Sequence, residues 1–247
     1  MTDNHVHVGW YTDGYHSPNE VWQSEQQAGI NKIVVSSTST CAEQYKLVIR
    51  EMYELIRIGG SCIHPILWIT PRMINTWGIR YMLHNKIRWQ GIKMHWLAHR
   101  EWYYNKKLTS SAIVIARKLQ VPVLLHTGDY KECHAEVFLP LCSKNPDMTF
   151  ILAHGRPLDE TISVLSTCPN TYVDTAFMPA SHVKILAERG FCNRILFGTD
   201  VPINLIYDKN LSISRYIKKQ IENLRKELTP NQFDILMKNQ LYGLLKL

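Results

Sequence analysis

The chain has 247 residues, of which 45% are hydrophobic and 20% are charged, a composition that suits one buried core and excludes a disordered chain. Its formal charge of +7 is compatible with an anionic substrate or a nucleic acid and establishes neither. No apolar run approaches the roughly 20 residues that cross a bilayer, which excludes a membrane-spanning helix.

The first residues lack the basic and apolar regions of a signal peptide. The six cysteines are widely spread and form no CxxC pair, which is typical of reduced thiols and predicts no disulfide framework. We therefore expect a cytoplasmic protein that does not bind membranes.

Short apolar segments rich in β-formers alternate with amphipathic helical segments along the chain. The predicted strands cover residues 3–7, 32–36, 62–69, 91–95, 121–126, 149–154, 171–174 and 194–198. The predicted helices cover residues 18–28, 43–58, 71–85, 110–119, 132–144, 159–167, 180–189, 212–227 and 230–245. Most strands are continuously apolar, as expected of parallel strands that are buried on both faces.

Eight strands alternating with helices fit either a closed (β/α)8 barrel or an open doubly wound sheet. The open sheet favours a glycine-rich phosphate loop after its first strand, and residues 8–15 carry neither GxGxxG nor a P-loop. We therefore predict an α/β fold: a (β/α)8 TIM barrel that forms a single domain over residues 1–247, with an extra C-terminal helix.

Eleven histidines are many for this length, and five of them stand at predicted strand ends. The C-terminal strand ends of a barrel meet at one face, so these imidazoles are expected to converge there. The five are His5 and His7 on the first strand, His95 on the fourth, His126 on the fifth and His154 on the sixth, and Asp200 follows the eighth.

The His5–His7 pair lies on one side of its strand because the strand period is two residues. Alone, the pair is more simply explained as two half-buried strand histidines. With the other strand-end histidines and Asp200 it favours a metal site, because imidazole and carboxylate ligands suit a borderline divalent ion such as zinc.

Five motifs resemble those of the amidohydrolase superfamily, most closely its branch of small metal-dependent TIM-barrel hydrolases and decarboxylases. They are DNHVH at 3–7, GIKMH at 91–95, PVLLHTG at 122–128, LAHG at 152–155 and LFGTDVP at 196–202, in the family's order. The segment NQLYGL at 239–244 resembles the branch's asparagine-containing terminal helix.

The resemblance implies that His5, His7, His126 and Asp200 bind a divalent metal, expected to be one Zn²⁺ with Mn²⁺ as the alternative. It gives His154 either a ligand role or a catalytic role, and we favour the catalytic role beside Asp200. A bound ion lowers the pKa of water toward about 7. Asp200 would then accept the proton of the water, and His154 would hold the hydroxide or donate to the developing oxyanion.

Five further residues are candidates for substrate binding. We interpret Lys93 as a cation that faces the site, with a carbamylated metal bridge and a pair with a buried carboxylate as alternatives. His95 is equally well explained as a substrate contact or as an ordinary strand-end residue. Trp96 and Arg100 belong to an aromatic loop that either walls the site or packs on the rim, and Arg156 binds an anion or pairs with a rim carboxylate.

These features predict a metal-dependent hydrolase that cleaves a C–N or C–O bond of a small anionic substrate, such as an amide or lactone, through metal-activated water. The alternatives are a non-oxidative decarboxylase of the same fold, a phosphoesterase or nuclease resembling TatD-type deoxyribonucleases, and a non-catalytic binding protein. Lys93 weakens the TatD alternative, because those enzymes commonly carry a glutamate near this place. We expect no nucleic-acid partner, and we leave monomer and homodimer open.

Overall fold

Parallel strands form a barrel in the computed structural model, which describes residues 1–207 and 209–239. β2 pairs antiparallel with the end of β1 as a hairpin, whereas the other paired strands run parallel. The strands are β1 (Thr2–Tyr11), β2 (Gly14–His16), β3 (Lys32–Ser37), β4 (Ile63–Pro65), β5 (Leu67–Trp68), β6 (Ile92–Met94), β7 (Val123–His126), β8 (Phe150–Ala153), β9 (Thr171–Asp174) and β10 (Ile195–Leu196).

Two sheets make up the barrel, in the orders β2-β1-β3-β4 and β10-β9-β8-β7-β6-β5. At one seam, β4 and β5 form a single bent strand, because the N–H of Ile66 between them donates to the carbonyl of Val35 at 2.8 Å. At the other seam, the N–H of Asn4 donates to Phe197 at 2.8 Å and the N–H of Asp200 donates to His5 at 2.8 Å. These bonds join the first and last strands, and the predicted (β/α)8 barrel is confirmed.

Helices follow most of the strands and cover the outside of the barrel. They are α1 (Pro18–Gln27), α2 (Tyr45–Gly59), α3 (Pro71–Asn75), α4 (Gly78–Leu83), α5 (Glu101–Tyr104), α6 (Lys106–Leu119), α7 (Leu139–Lys144), α8 (Leu158–Thr167), α9 (Ala180–Leu186), α10 (Ile213–Glu227) and α11 (Pro230–Lys238). None of the helices in these described parts of the chain is both long and apolar enough to cross a membrane.

Local side-chain chemistry sets several helix boundaries. The Ser17 hydroxyl accepts from the N–H of Glu20 at the start of α1, and Thr229 forms a capping box with Gln232 at the start of α11. Asn105 accepts from two N–H groups of α6, so this helix begins four residues before the predicted start at 110. The predicted terminal helix is described only to Lys238, and residues 240–245 lie outside the described residues.

Three predicted elements are wrong in detail. The strand predicted over 62–69 is interrupted at Ile66, where its ladder pairing passes from β3 to β6. The helix predicted over 71–85 divides at Thr76, whose backbone is extended. The helix predicted over 132–144 contains two short 3-10 segments, and regular α-helix begins only at Leu139.

Apolar side chains fill the lumen of the barrel in a small cluster of their own. A larger core lies between the strands and the helices. The apolar side chains fill the lumen, and the polar groups lie at the C-terminal ends of the strands. The lumen residues are Val34, Ile66, Leu124, Ile151, Ala153 and Leu196, each no more than 2% exposed.

Ile151→Ala is expected to lower the free energy of unfolding by about 2–5 kcal/mol, because the deletion leaves a cavity inside the closed barrel. Val114→Ala is the matched control, since Val114 is 47% exposed on α6. Urea unfolding followed by circular dichroism measures both. Equal midpoints for the two variants would contradict a packed lumen.

Candidate active site

Three side chains from the two joined ends of the barrel converge at its mouth. Asp200 Oδ1 lies 2.9 Å from Nε2 of His7 and 3.1 Å from Nε2 of His5. All three side chains are buried. They form one of two groups in the described structure whose ligand atoms lie close enough together to hold a metal ion.

Buried partners orient both histidines. Nδ1 of His5 lies 2.9 Å from Oδ2 of Asp174, at the end of β9. Nδ1 of His7 lies 3.3 Å from the carbonyl oxygen and 2.9 Å from the hydroxyl of Ser36, on β3. A carboxylate and a carbonyl only accept, so both Nδ1 atoms carry the proton. The Nε2 atoms therefore point to the centre of the site.

The contact between His7 and Asp200 joins two hydrogen-bond acceptors. Burial and the nearby Lys93 charge lower the pKa of His7 to about 3, so its ring is neutral. The Lys93 ammonium donates toward Nε2 of His7 at 2.7 Å, which fits a lone pair on this nitrogen. Burial raises the pKa of Asp200, but His5 and His7 outweigh it and hold this pKa well below its usual range. The polar atoms that face the buried Asp200 Oδ1 are Nε2 of His5 at 3.1 Å and Nε2 of His7 at 2.9 Å. The lone pairs of His7 Nε2 and Asp200 Oδ1 repel each other at this distance, and a cation beside them removes the repulsion.

Lys93 supplies a cation at this point. Its Nζ lies 2.7 Å from Nε2 of both His5 and His7, and its side chain is 1% exposed. Burial lowers the pKa of Lys93 to about 8. The structure thus places Lys93 facing the site, as the sequence predicts, and directly against the expected metal ligands.

The charge on His5 depends on its two acidic neighbours. Burial and Lys93 lower its pKa, but Asp200 and Asp174 outweigh them and raise it to about 9. Because Nζ of Lys93 and Nε2 of His5 lie 2.7 Å apart, the two groups share a proton in this contact instead of each presenting an N–H to the other. A divalent ion would bring positive charge to the same place, and its binding would release protons.

The other three strand-end histidines form a connected series beside this centre. Nε2 of His154 lies 3.2 Å from Nδ1 of His126, and the ring of His126 stacks on His95 with 3.6 Å between centroids. His95 stacks in turn on Trp68, at 5.1 Å. Neither metal-capable group in the described residues includes His126, so its predicted ligand role stays a prediction.

The backbone is strained at two of these positions. His154 and Asp200 have φ values of 71° and 61°, in the left-handed region that non-glycine residues rarely adopt. Asp174 Oδ1 accepts from the N–H of His154 and from that of Ala176, both at 3.0 Å. Such strain persists only where the surroundings enforce it, and it is often found at functional sites.

A cavity of about 370 Å³ opens above these groups and contains His7, Lys93, His95, His126, His154 and Asp200 in its lining. Its lining also includes five aromatic side chains, which are Tyr11, Trp68, Tyr130, Phe177 and Tyr207. This combination of apolar walls and converging polar groups is typical of a small-molecule site.

The remaining predicted substrate residues divide into two groups. Arg156 lines the cavity, donates to the carbonyl of Phe177 at 3.0 Å and lies 3.5 Å from Asp129, so it both faces the site and pairs with a rim carboxylate. Trp96 and Arg100 are not brought to the cavity. Trp96 is buried against Trp102 and Phe138, and Arg100 precedes α5 as an exposed residue.

Three residues of the site were not predicted from the sequence: Asp174, Ser36 and Asp3. Asp3 accepts from Thr199 Oγ1 at 2.5 Å and from the N–H of His5 at 3.0 Å, which joins the segment of His5 and His7 to the segment of Asp200. Asp174 ends the seventh predicted strand, and this position is the signal that could have revealed it. Ser36 gives no comparable signal, because a serine at a strand end is common.

Known proteins resemble this chain in family and in fold. Residues 85–206 match a family model described as amidohydrolase, and the resemblance predicted from the motifs is confirmed. No curated protein sequence matches the chain.

Several solved structures share the fold. A probable 2-pyrone-4,6-dicarboxylic acid hydrolase from Acinetobacter baumannii is 12% identical, with a TM-score of 0.66 over 98% of each chain. A 5-carboxyvanillate decarboxylase from Novosphingobium aromaticivorans, complexed with manganese and a nitrobenzoic acid, is 10% identical, with a TM-score of 0.63 over 92% of this chain and 79% of its own. A TatD-like protein from Archaeoglobus fulgidus is 18% identical, with a TM-score of 0.59 over 92% and 93%.

Asp174→Asn is expected to lower the pKa of His5 from about 9 by roughly 1–3 pH units, because it removes a negative charge that stabilises the imidazolium. NMR titration of the imidazole resonances in protein treated with a chelator measures the change. Asp129→Asn, on the exposed rim, is the control and should leave the titration of His5 unaltered. An unchanged pKa in Asp174→Asn would contradict the inferred pairing.

Proposed function

We propose that this member of the amidohydrolase superfamily is a metal-dependent hydrolase of a small anionic substrate. The observation that carries the proposal is the convergence of His5 Nε2, His7 Nε2 and Asp200 Oδ1 in a buried site, where the carboxylate oxygen lies 3.1 Å and 2.9 Å from the two nitrogens. This donor set fits a divalent cation, because two imidazole nitrogens and one carboxylate oxygen are a common ligand set for zinc and manganese.

The residues that would hold the ion are His5, His7 and Asp200, with His126 as the fourth ligand. His126 offers Nε2, since its Nδ1 is engaged with His154. When bound, the ion supplies a Lewis acid that lowers the pKa of water and polarises a substrate oxygen. We propose one Zn²⁺, and the manganese in the Novosphingobium aromaticivorans decarboxylase supports Mn²⁺ as the alternative.

His154 has one ring nitrogen that can accept a hydrogen bond. Its Nδ1 lies 3.1 Å from the carbonyl of Ala176 and must donate to it, so Nε2 carries the lone pair. Burial lowers the pKa of His154 to about 4, which keeps the imidazole neutral and makes it a weak base. Nε2 faces Nδ1 of His126 at 3.2 Å, so His154 would hold the attacking water once His126 binds the metal and turns its own nitrogen away. Asp200, ionised at the same mouth, is the other proton acceptor.

The anionic character of the substrate rests on the positive groups of the cavity. Arg156 lies on its wall, and the Lys93 ammonium would be freed to face the substrate once a metal took its place between His5 and His7. Aromatic walls around about 370 Å³ suit a small molecule with a flat apolar part. We therefore propose an amide, cyclic imide or lactone that carries a carboxylate.

The decarboxylase is the second candidate. Lys93, Arg156 and the aromatic side chains of the cavity favour it too, because they would hold an aromatic or enolic acid equally well. The TatD-like phosphoesterase is disfavoured by Lys93, whose side chain fills the place that a bridging carboxylate would need.

The metal content of the purified protein tests the ligand set. We expect about one equivalent of zinc or manganese per chain by plasma mass spectrometry, and its loss in His5→Ala/His7→Ala, because two of the ligands are removed. His84→Ala/His182→Ala is the matched control, since both of its histidines lie in helical segments remote from the site. Metal retained in the His5/His7 variant would overturn the proposal.

Product analysis separates the two reactions. The metal-loaded protein is incubated with a panel of lactones, amides and aromatic carboxylic acids in ¹⁸O-labelled water. A hydrolase incorporates one ¹⁸O atom into the product, whereas a decarboxylase releases carbon dioxide and adds no water. His154→Gln is expected to lower kcat by about 10²–10⁴-fold, as removal of a general base does, and His84→Gln should leave it unchanged. Release of carbon dioxide without ¹⁸O in the organic product would contradict the hydrolase activity and favour the decarboxylase activity.

A further inference from the structure

His95 lines the catalytic cavity and is not among the proposed metal ligands. It follows β6, and its ring lies between two other rings of the cavity lining. The ring of His126, on β7, stacks on it with 3.6 Å between centroids, and the ring of Trp68, on β5, stacks on it at 5.1 Å. Because β5 and β7 flank β6 on opposite sides, the two rings cover opposite faces of the imidazole.

The turn after His95 fixes the position of the proton on its ring. The N–H of Ala98 donates to Nδ1 of His95 at 3.1 Å, and the N–H of His99 donates to the carbonyl oxygen of His95 at 3.1 Å. A ring nitrogen that accepts a hydrogen bond carries a lone pair and no proton. The imidazole of His95 is therefore neutral, and its proton is on Nε2.

The N–H at Nε2 of His95 faces the cavity. Both faces of the ring and its Nδ1 edge are covered, so the ring meets the cavity along the edge that carries Nε2. Three other histidines of the lining use their N–H groups within the protein: His7 donates to β3, His154 to the segment after β9, and His126 to His154. Within the described residues, His95 is the histidine of the lining whose N–H has no protein partner.

This N–H borders the part of the cavity where the proposed reaction would take place. The ring of His95 contacts His126, the proposed fourth ligand, and His126 lies 3.2 Å from His154, which would hold the attacking water. A neutral imidazole is a very weak acid, so its N–H donates a hydrogen bond to a developing oxyanion without giving up the proton. A fixed donor of this kind is effective because it needs no reorganisation as the charge forms.

We propose that His95 is a further catalytic residue, whose Nε2–H donates a hydrogen bond to the substrate oxygen on which negative charge develops. This role rests on the proposed function: in the hydrolysis of an amide or lactone, the acceptor is the carbonyl oxygen, and His95 keeps its proton throughout. The position of the N–H on the ring is a property of the fold and does not depend on the reaction.

The position of the proton on His95 is the first test. Long-range ¹H–¹⁵N spectra of chelator-treated protein identify the protonated nitrogen of each imidazole, and His95→Phe assigns the resonances of His95. We expect a proton on Nε2 and a lone pair on Nδ1. A proton on Nδ1 would overturn the proposal, whether or not the protein binds a metal.

Phenylphosphonate is the probe for the donor role, because it joins a flat ring to tetrahedral anionic oxygens. It is titrated calorimetrically into chelator-treated protein, where Lys93 and Arg156 attract the anion. His95→Phe keeps a flat ring between its neighbours and lacks the N–H, so it should weaken binding about 10-fold or more. His84→Phe, at an exposed position after α4, is the matched control. Equal affinity of the two variants, or no binding to the unaltered protein at millimolar phenylphosphonate, would overturn the proposal.

Kinetics separate the donor role from a structural role of the ring. With a substrate identified by the product analysis, His95→Phe should lower kcat about 10²–10³-fold, as removal of one oxyanion donor does, and leave KM and the melting temperature nearly unchanged. An unchanged kcat would overturn the proposal. Turnover of no compound in the panel would contradict the proposed hydrolase, and the affinity for phenylphosphonate would then decide the role of His95.

Discussion

The site depends on one electrostatic constraint, the approach of a carboxylate oxygen to a bare imidazole nitrogen away from water. Asp200 and His7 meet at 2.9 Å, and neither has a proton to give the other. In a dry site, where charges interact strongly, this contact holds only with a cation beside it. Lys93 provides that cation in the metal-free protein, and the ligand geometry suits a divalent ion in its place.

Closure of the barrel holds these side chains in contact. Closure between β1 and the segment after β10 sets Asp200 against the His5–His7 pair, and Asp3 ties the two segments together through Thr199. Asp174 reaches the same point from β9 and orients His5. Side chains from distant parts of the chain are thus held by short backbone connections, which keeps a charged and strained arrangement in place.

The sequence predicted the barrel and the convergence of His5, His7 and Asp200, because both follow from strand periodicity and from the common direction of parallel strand ends. It did not predict where Trp96 points, because that depends on Phe138, which is distant in sequence and adjacent only in the fold. Nor did it predict that Lys93 would lie within 2.7 Å of the expected ligands. Orientation of this kind is decided by the packing of neighbouring strands, which no single segment encodes.

The most direct test of the central claim is a crystal structure of the zinc- or manganese-soaked protein, with anomalous scattering recorded at the edge of the metal. We expect one anomalous peak bounded by His5 Nε2, His7 Nε2 and Asp200, with the Lys93 ammonium displaced from between the two histidines. A structure with no peak there, in which Lys93 Nζ still lies between the histidines after soaking, would contradict it.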